Sequence, residues 1–131
     1  MCSLSERKVH HSDSAPAAVG PYSHAASAAG LVFASGQLGL NPATMKLVDG
    51  GVEAQARQAL ENLNAVALAA GTELAKAVKV NVYLLDMADF AAVNSVYSEF
   101  FPGEEPPARA AVAVAALPLG GLIEVDAVFK S

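Results

Sequence analysis

The sequence predicts one domain in which strands and two helices share a single core. Three observations carry that reading. Residues 52–70 repeat apolar side chains at helical spacing, residues 76–85 alternate as an interior strand, and residues 122–129 separate two faces with a period of two. At 131 residues the chain has the length of one ordinary domain, so a single unit over 1–131 is expected. A chain of that length can bury about 70% of its unfolded surface without covalent staples.

Taken in order, residues 6–11 read as a short edge strand and 12–21, rich in Ser, Ala, Pro and Gly, as a loop. Within that loop Gly20-Pro21 turns the chain just before Tyr22, whose ring can stack on a ligand or pack under the loop. Residues 25–28 and 31–35 form two strands about a turn at Gly30. The chain then leaves the sheet along Gly36-Gln37-Leu38-Gly39-Leu40, where Gly36 can let a ligand approach the main chain. Asn41-Pro42-Ala43-Thr44 is a turn, and Asp49-Gly50-Gly51 precedes the first helix, which Gly71 stops. Val52, Ala56, Leu60, Leu63, Ala67 and Ala70 make its apolar stripe. Gln55, Gln58, Glu61 and Asn62 fall on the opposite side, as expected for a helix covering one face of a sheet.

The strand at 76–85 has apolar content on both sides, which places it inside the sheet. Asp86 caps a second helix that runs to about Phe101 and stops at Pro102-Gly103, with Phe90, Val93, Tyr97, Phe100 and Phe101 as its stripe. Asn94 falls on that stripe. A buried amide must find partners, either the backbone of a neighbouring loop or a side chain of a site. Gly103-Glu104-Glu105 is simplest as solvated surface.

Pro106-Pro107-Ala108-Arg109-Ala110-Ala111-Val112 then sets one guanidinium in a run of small apolar residues that reads as a buried strand. The planar donor fork of arginine matches a carboxylate or phosphate, so Arg109 is a candidate anion clamp, with an ion pair as the plainer alternative. In the last strand Ile123, Val125, Ala127 and Phe129 point one way, and Glu124 and Asp126 the other. Facing water, Glu124 would be an ordinary surface carboxylate. Lining an apolar cleft, it would have a raised pKa and become an acid/base candidate. If the last two strands pair as a hairpin about 117–121, Ala116 faces Leu122 and Glu124 lies opposite Val114. Arg109 is then about 17 Å of strand away, and the two would share a small ligand only across subunits.

Composition limits the function. A hydrophobic fraction of 53% against 16% charged residues implies apolar surface buried between subunits. A net charge of -5 without a basic stripe disfavours nucleic acid. Cys2 is the single cysteine, which fits a reducing, cytoplasmic compartment and leaves no thiolate cluster. No stretch reaches membrane-spanning length. Gly36-Gln37-Leu38-Gly39 is not a phosphate loop. Ser35 lacks the first glycine of a nucleophile elbow, and adjacent His10 and His11 point apart, so no metal or cofactor is expected.

Read together, Gly20-Pro21-Tyr22-Ser23, Ser35-Gly36-Gln37-Leu38-Gly39-Leu40-Asn41-Pro42, Asp89-Phe90-Ala91-Ala92-Val93-Asn94, Pro107-Ala108-Arg109 and Ile123-Glu124-Val125 resemble the RidA family, also called YjgF or endoribonuclease L-PSP-like. The resemblance spans nearly the whole chain. It implies an α+β fold, a mixed sheet with two helices packed on one face, assembled as a homotrimer with clefts between subunits. It also implies hydrolysis of enamine and imine intermediates such as 2-aminoacrylate and 2-iminobutanoate to 2-keto acids and ammonia. By position Arg109 is similar to the family's carboxylate-binding arginine and Glu124 to its acidic residue near the water. Tyr22, Ser35, Gly36 and Asn94 match the cleft lining, and Ala111 matches a position whose backbone carbonyl faces the imine. Two departures stand out: Ala111 where cysteine is frequent, and His24 where glutamine is common. An endoribonuclease or translation inhibitor, and a non-catalytic module for small keto or amino acids, are the competing functions.

Overall fold

The computed structural model describes residues 6–131, so Cys2 lies outside the described residues. Six strands form one sheet: β1 (Lys8–His10), β2 (Ala25–Ala28), β3 (Leu31–Leu38), β4 (Ala77–Leu84), β5 (Ala108–Ala113) and β6 (Ile123–Lys130). Two helices, α1 (Gly51–Ala69) and α2 (Phe90–Phe100), complete it. The sheet order is β1-β2-β3-β6-β4-β5, antiparallel except for the parallel pair of β4 and β5. This is the expected α+β architecture.

Chain geometry explains why both helices share a face. The connections from β3 through α1 to β4, and from β4 through α2 to β5, step the same way across the sheet. Crossovers between parallel strands are overwhelmingly right-handed, so two steps in one direction land on one side. There Leu60, Leu63 and Val66 of α1 and Val93 and Val96 of α2 close over Val80, Val82, Leu84, Ile123, Val125 and Phe129. Alternation then leaves Glu124, Asp126 and Val128 on the open side of β6.

The structure corrects several sequence expectations. The last two strands do not form a hairpin, because β6 inserts between β3 and β4 and β5 pairs in parallel with β4. Glu124 therefore aligns with Tyr83, and Tyr83 with Val112, rather than with Val114. The Arg109 strand is not buried: β5 is an edge strand, and only Ala111 within it is partly covered. Its small apolar side chains mimic an interior strand although one backbone edge is unpaired. The chain does not leave the sheet at Gly36 either. β3 continues to Leu38 through a register shift between Ala34 and Gln37, a bulge that re-aims the residues beyond it.

Gln55 and Asn62, assigned to the outer side of α1, are buried. The Asn62 amide donates to the carbonyls of Leu38 and Leu40 at 3.1 and 2.9 Å, and Gln55 Oε1 accepts from the Leu122 amide at 2.9 Å. Backbone leaving a strand needs partners, and these two side chains supply them. Gly39 makes the approach possible, since a Cβ there would lie 2.6 Å from the Gln55 backbone.

Candidate active site

The predicted site residues gather at two places on opposite faces of the sheet. Arg109 is in register with Val80, a core residue, and so lies on the helix side at the exposed edge. Its guanidinium sits 4.7 Å from the Tyr97 ring centroid and 5.5 Å from that of Phe90, and Nη1 donates to Asn94 Oδ1 at 2.7 Å. Rings three and four residues from Asn94 on α2 thus form a shelf, and the amide orients the fork. Asn94 serves a site side chain rather than loop backbone. No carboxylate of the described residues pairs with Arg109, whereas Arg57 is paired with Glu99 at 2.7 Å. Ala111 follows two residues along the same face, in register with Val82. A cleft of about 510 Å³ opens here, lined by Asn94, Tyr97, Ser98, Phe101, the two prolines and Arg109. The Tyr97 hydroxyl is buried and has no hydrogen-bond partner among the described residues.

The second place, on the open face, is a cavity of about 540 Å³ that brings Tyr22, Ser35, Gly36 and Glu124 together. The Glu124 carboxylate lies against the Gly36 main chain, where a Cβ would stand 2.6 Å from Oε2. A side chain at 36 would push the carboxylate out of that position. Burial, and secondarily the negative charge of Asp126, raises the Glu124 pKa above the ordinary 4.5. The apolar-cleft alternative for Glu124 is therefore the one realised. Asp126 is itself engaged: Oδ1 accepts from the Asn81 side-chain amide at 2.8 Å. Burial first, then Asp126 and Glu124, raises the Tyr83 pKa.

His24, read only as a departure, braces the loop that forms one wall of this cavity. It is 2% exposed, its Nδ1 accepts from the Ser12 amide at 2.9 Å, and its Nε2 donates to the Pro16 carbonyl at 2.8 Å. That pattern fixes the Nε2-protonated tautomer and ties the 12–21 loop, with its lining residues Pro16 and Val19, to β2. Ser35 is spent similarly, its hydroxyl donating to the Ser23 carbonyl at 2.6 Å. Tyr22 remains exposed at the rim. Sequence reasoning missed Met45 and Leu119, which also line the cavity. Tyr97 is in the core as its place in the apolar stripe predicts, and its ring also faces Arg109, a second part that its spacing from Asn94 allowed.

Among the described residues there is no group of three or more His, Cys, Asp or Glu able to hold a metal ion, and no helix is long and apolar enough to cross a membrane. Chemically, one place offers an oriented cation for a small anion. The other offers a half-buried carboxyl that burial makes hold its proton more tightly than an ordinary carboxyl.

Comparison with known proteins adds the following. A family model described as Endoribonuclease L-PSP matches residues 12–130. Protein DfrA of Myxococcus xanthus is 50% identical over 127 residues, covering 95% of this chain and 96% of the relative. The mouse 2-iminobutanoate/2-iminopropanoate deaminase is 48% identical over 122 residues, covering 93% and 90%. The crystal structure of a protein of unknown function of the conserved Rid family, YyfA from Yersinia pestis, superposes with a TM-score of 0.92 at 40% identity, covering 96% of this chain and all of the other.

Proposed function

Because this chain belongs to the endoribonuclease L-PSP family, also known as RidA or YjgF, we propose that it hydrolyses reactive 2-imino acids, with their enamine tautomers, to 2-keto acids and ammonia. The observation that carries the reading is the Glu124 carboxyl, seated on Gly36 inside an apolar cavity with its pKa raised. The relative named as a 2-iminobutanoate/2-iminopropanoate deaminase supports the substrate class.

In this reading Arg109 receives the substrate carboxylate in its fork, held by Asn94 and the aromatic shelf. The Ala111 carbonyl accepts the iminium N–H. As water oxygen bonds to the C=N carbon, Glu124 takes a proton from that water. It then returns the proton to nitrogen; as the C–N bond breaks, the carbinolamine hydroxyl becomes the keto C=O and its proton passes to Glu124 and on to the departing ammonia, which leaves as ammonium. Water is consumed and no oxidant is needed. Such acid/base assistance contributes about 10² to 10⁴-fold.

Arg109 and Glu124 point from opposite faces of one sheet, so a small substrate touching both requires two subunits. The open face offers the surface for such an assembly: Phe33 and Val112 are each 48% exposed, and Val128 is partly exposed between Phe33 and Asp126. We place a neighbouring subunit there in a homotrimer, its Arg109 edge entering the Glu124 cavity. The test is complementation. Arg109→Ala and Glu124→Gln proteins, each deficient, are unfolded and reassembled together, and keto-acid release from an imine made in situ is measured. Recovered activity is expected, because some interfaces regain one intact Arg109 and one intact Glu124. Verified mixing without recovery excludes the shared site. A ribonuclease would be carried by backbone-phosphate contacts, which the net charge of -5 opposes.

A further inference from the structure

Residues 12–19 are fastened to the rest of the chain by one side chain. Among the described residues, the only hydrogen bonds that join this segment to anything outside it are the two made by the His24 ring. The Ser12 amide donates to Nδ1 at 2.9 Å, and Nε2 donates to the Pro16 carbonyl at 2.8 Å. The segment matters because Pro16, Ala17 and Val19 line the Glu124 cavity. His24 is in turn fixed to the strand that carries Gly36, its carbonyl accepting from the Ser35 amide at 2.9 Å. The imidazole is already 2% exposed within a single chain, so both bonds lie beneath any surface that a neighbouring subunit covers.

Only one protonation state makes both bonds. Neutral imidazole accepts at one nitrogen and donates at the other, whereas imidazolium donates at both. A proton on Nδ1 would set one N–H against another and leave the amide of buried Ser12 without its acceptor. Nothing beside the ring compensates the charge. The His11 ring, just past β1, lies 5.5 Å away and can add only positive charge. His10, in register with Ala25, is bonded to the Ser27 hydroxyl, and Asp13 is exposed and pairs with no histidine. From α1 the side chains beside His11, Ser12 and Asp13 are Ala65, Leu68 and Ala69, and neither β2 nor β3 carries an ionisable residue. A free imidazole takes up its proton at about pH 6.5, so this exchange belongs to mild acid.

We infer that His24 is a positioning residue for the Glu124 site: neutral, it fastens residues 12–19 as a wall of the cavity, and on taking up a proton it releases them, so that acid loosens the wall and slows the reaction. The inference rests on the imine hydrolysis proposed above and goes beyond it, adding a residue outside the cavity lining and a control by protons. A loosened wall admits water beside Glu124, and the carboxyl then loses the desolvation that sets its proton affinity. Ala15 still packs into the core, so the change is a local opening and not unfolding. An amide at position 24 would do the same work without titrating, since Oε1 of a glutamine can accept and its Nε2 donate.

The test compares the wild type with His24→Gln, each protein against itself at pH 8 and pH 5. Two quantities are read: the exchange protection of the Ser12 amide by NMR, and kcat/KM for an imine generated in situ by an amino-acid oxidase kept in excess. In the wild type, Ser12 protection is expected to fall about tenfold or more on going to pH 5, the loss of one hydrogen bond, while amides in the middle of α1 keep theirs. In His24→Gln it should hold within about twofold. Over the same interval kcat/KM should drop about fivefold or more further in the wild type than in the variant. Both proteins carry Glu124, so its own titration cancels in that comparison. Should His24→Gln fail to fold, the wild-type Ser12 and α1 amides still decide the matter. Unchanged Ser12 protection in the wild type at pH 5, or an equal pH response of kcat/KM in the two proteins, overturns the inference and leaves the proposed function standing. If Ser12 behaves as expected but neither protein accelerates imine hydrolysis at pH 8, the proposed function falls and His24 stands as the fastening of the wall.

Discussion

The Arg109 cleft and the Glu124 cavity solve opposite electrostatic problems. Arg109 works at an exposed sheet edge, where water screens charge, and its precision comes from the Asn94 hydrogen bond and the faces of Phe90 and Tyr97. Glu124 works in a half-buried apolar cavity, where desolvation itself tunes the carboxyl and Asp126 adds to it. Each setting suits the role proposed for it: a permanent cation needs orientation, whereas a proton carrier needs a shifted pKa. The difference teaches that one strand face could not hold both, since the burial that raises the glutamate would penalise an unpaired arginine.

The comparison breaks most visibly at Glu124. Glu124→Gln is expected to lower kcat by about 10² to 10⁴-fold with little change in KM, because the amide keeps the shape and loses the proton. Stopped-flow or coupled measurement of keto-acid release decides this, and full activity in a folded variant would make the carboxylate structural. At the other pole, Arg109→Lys keeps the charge and loses the fork. Its kcat/KM should fall about 10 to 100-fold, about 1.4–2.7 kcal/mol, chiefly through KM. Near-normal values would remove the clamp.

Asn94→Ala sharpens the contrast, since it leaves the guanidinium charged and stacked but unoriented. A loss of about tenfold in kcat/KM, near 1.4 kcal/mol, is expected, partly restored by Asn94→Asp, which keeps the acceptor. The smallest effects lie in stability. With its folded-state pKa above 4.5, Glu124 favours the fold when protonated. That contribution is complete below about pH 4.5 and is lost as pH rises through the raised value. Glu124→Gln should therefore gain stability over the wild type as pH rises from 4.5, read as an increasing urea midpoint difference. Arg109→Ala forfeits the Asn94 hydrogen bond and the contacts with the Phe90 and Tyr97 rings at an exposed edge, and should cost about 1 kcal/mol at every pH. A wild-type advantage at neutral pH would mean that Glu124 is stabilised as the anion.

The sequence by itself determined whatever depends on local periodicity. Alternation separated Glu124 and Asp126 from Ile123 and Val125, helical spacing put Asn94 beside Phe90 and Tyr97, and Asp86 marked the start of the second helical segment, its side chain accepting from the Ala88 amide. The chemistry of Arg109 was legible because a lone guanidinium in an alanine-rich run needs a purpose. Tertiary structure decided the rest. Nothing local tells β6 to insert between β3 and β4, because strand order is set by non-local pairing and crossover geometry; hence the failed hairpin. Gln55 and Asn62 look like solvent-facing amides until the departing backbone of 38–40 and Leu122 demands partners. The positive φ of Met45 and Leu119 leaves no trace in residue type, since the turns around them impose a conformation that glycine would normally announce. Faces follow from a repeat a few residues long, whereas neighbours, burial and strain follow from contacts that exist only once the chain has closed on itself.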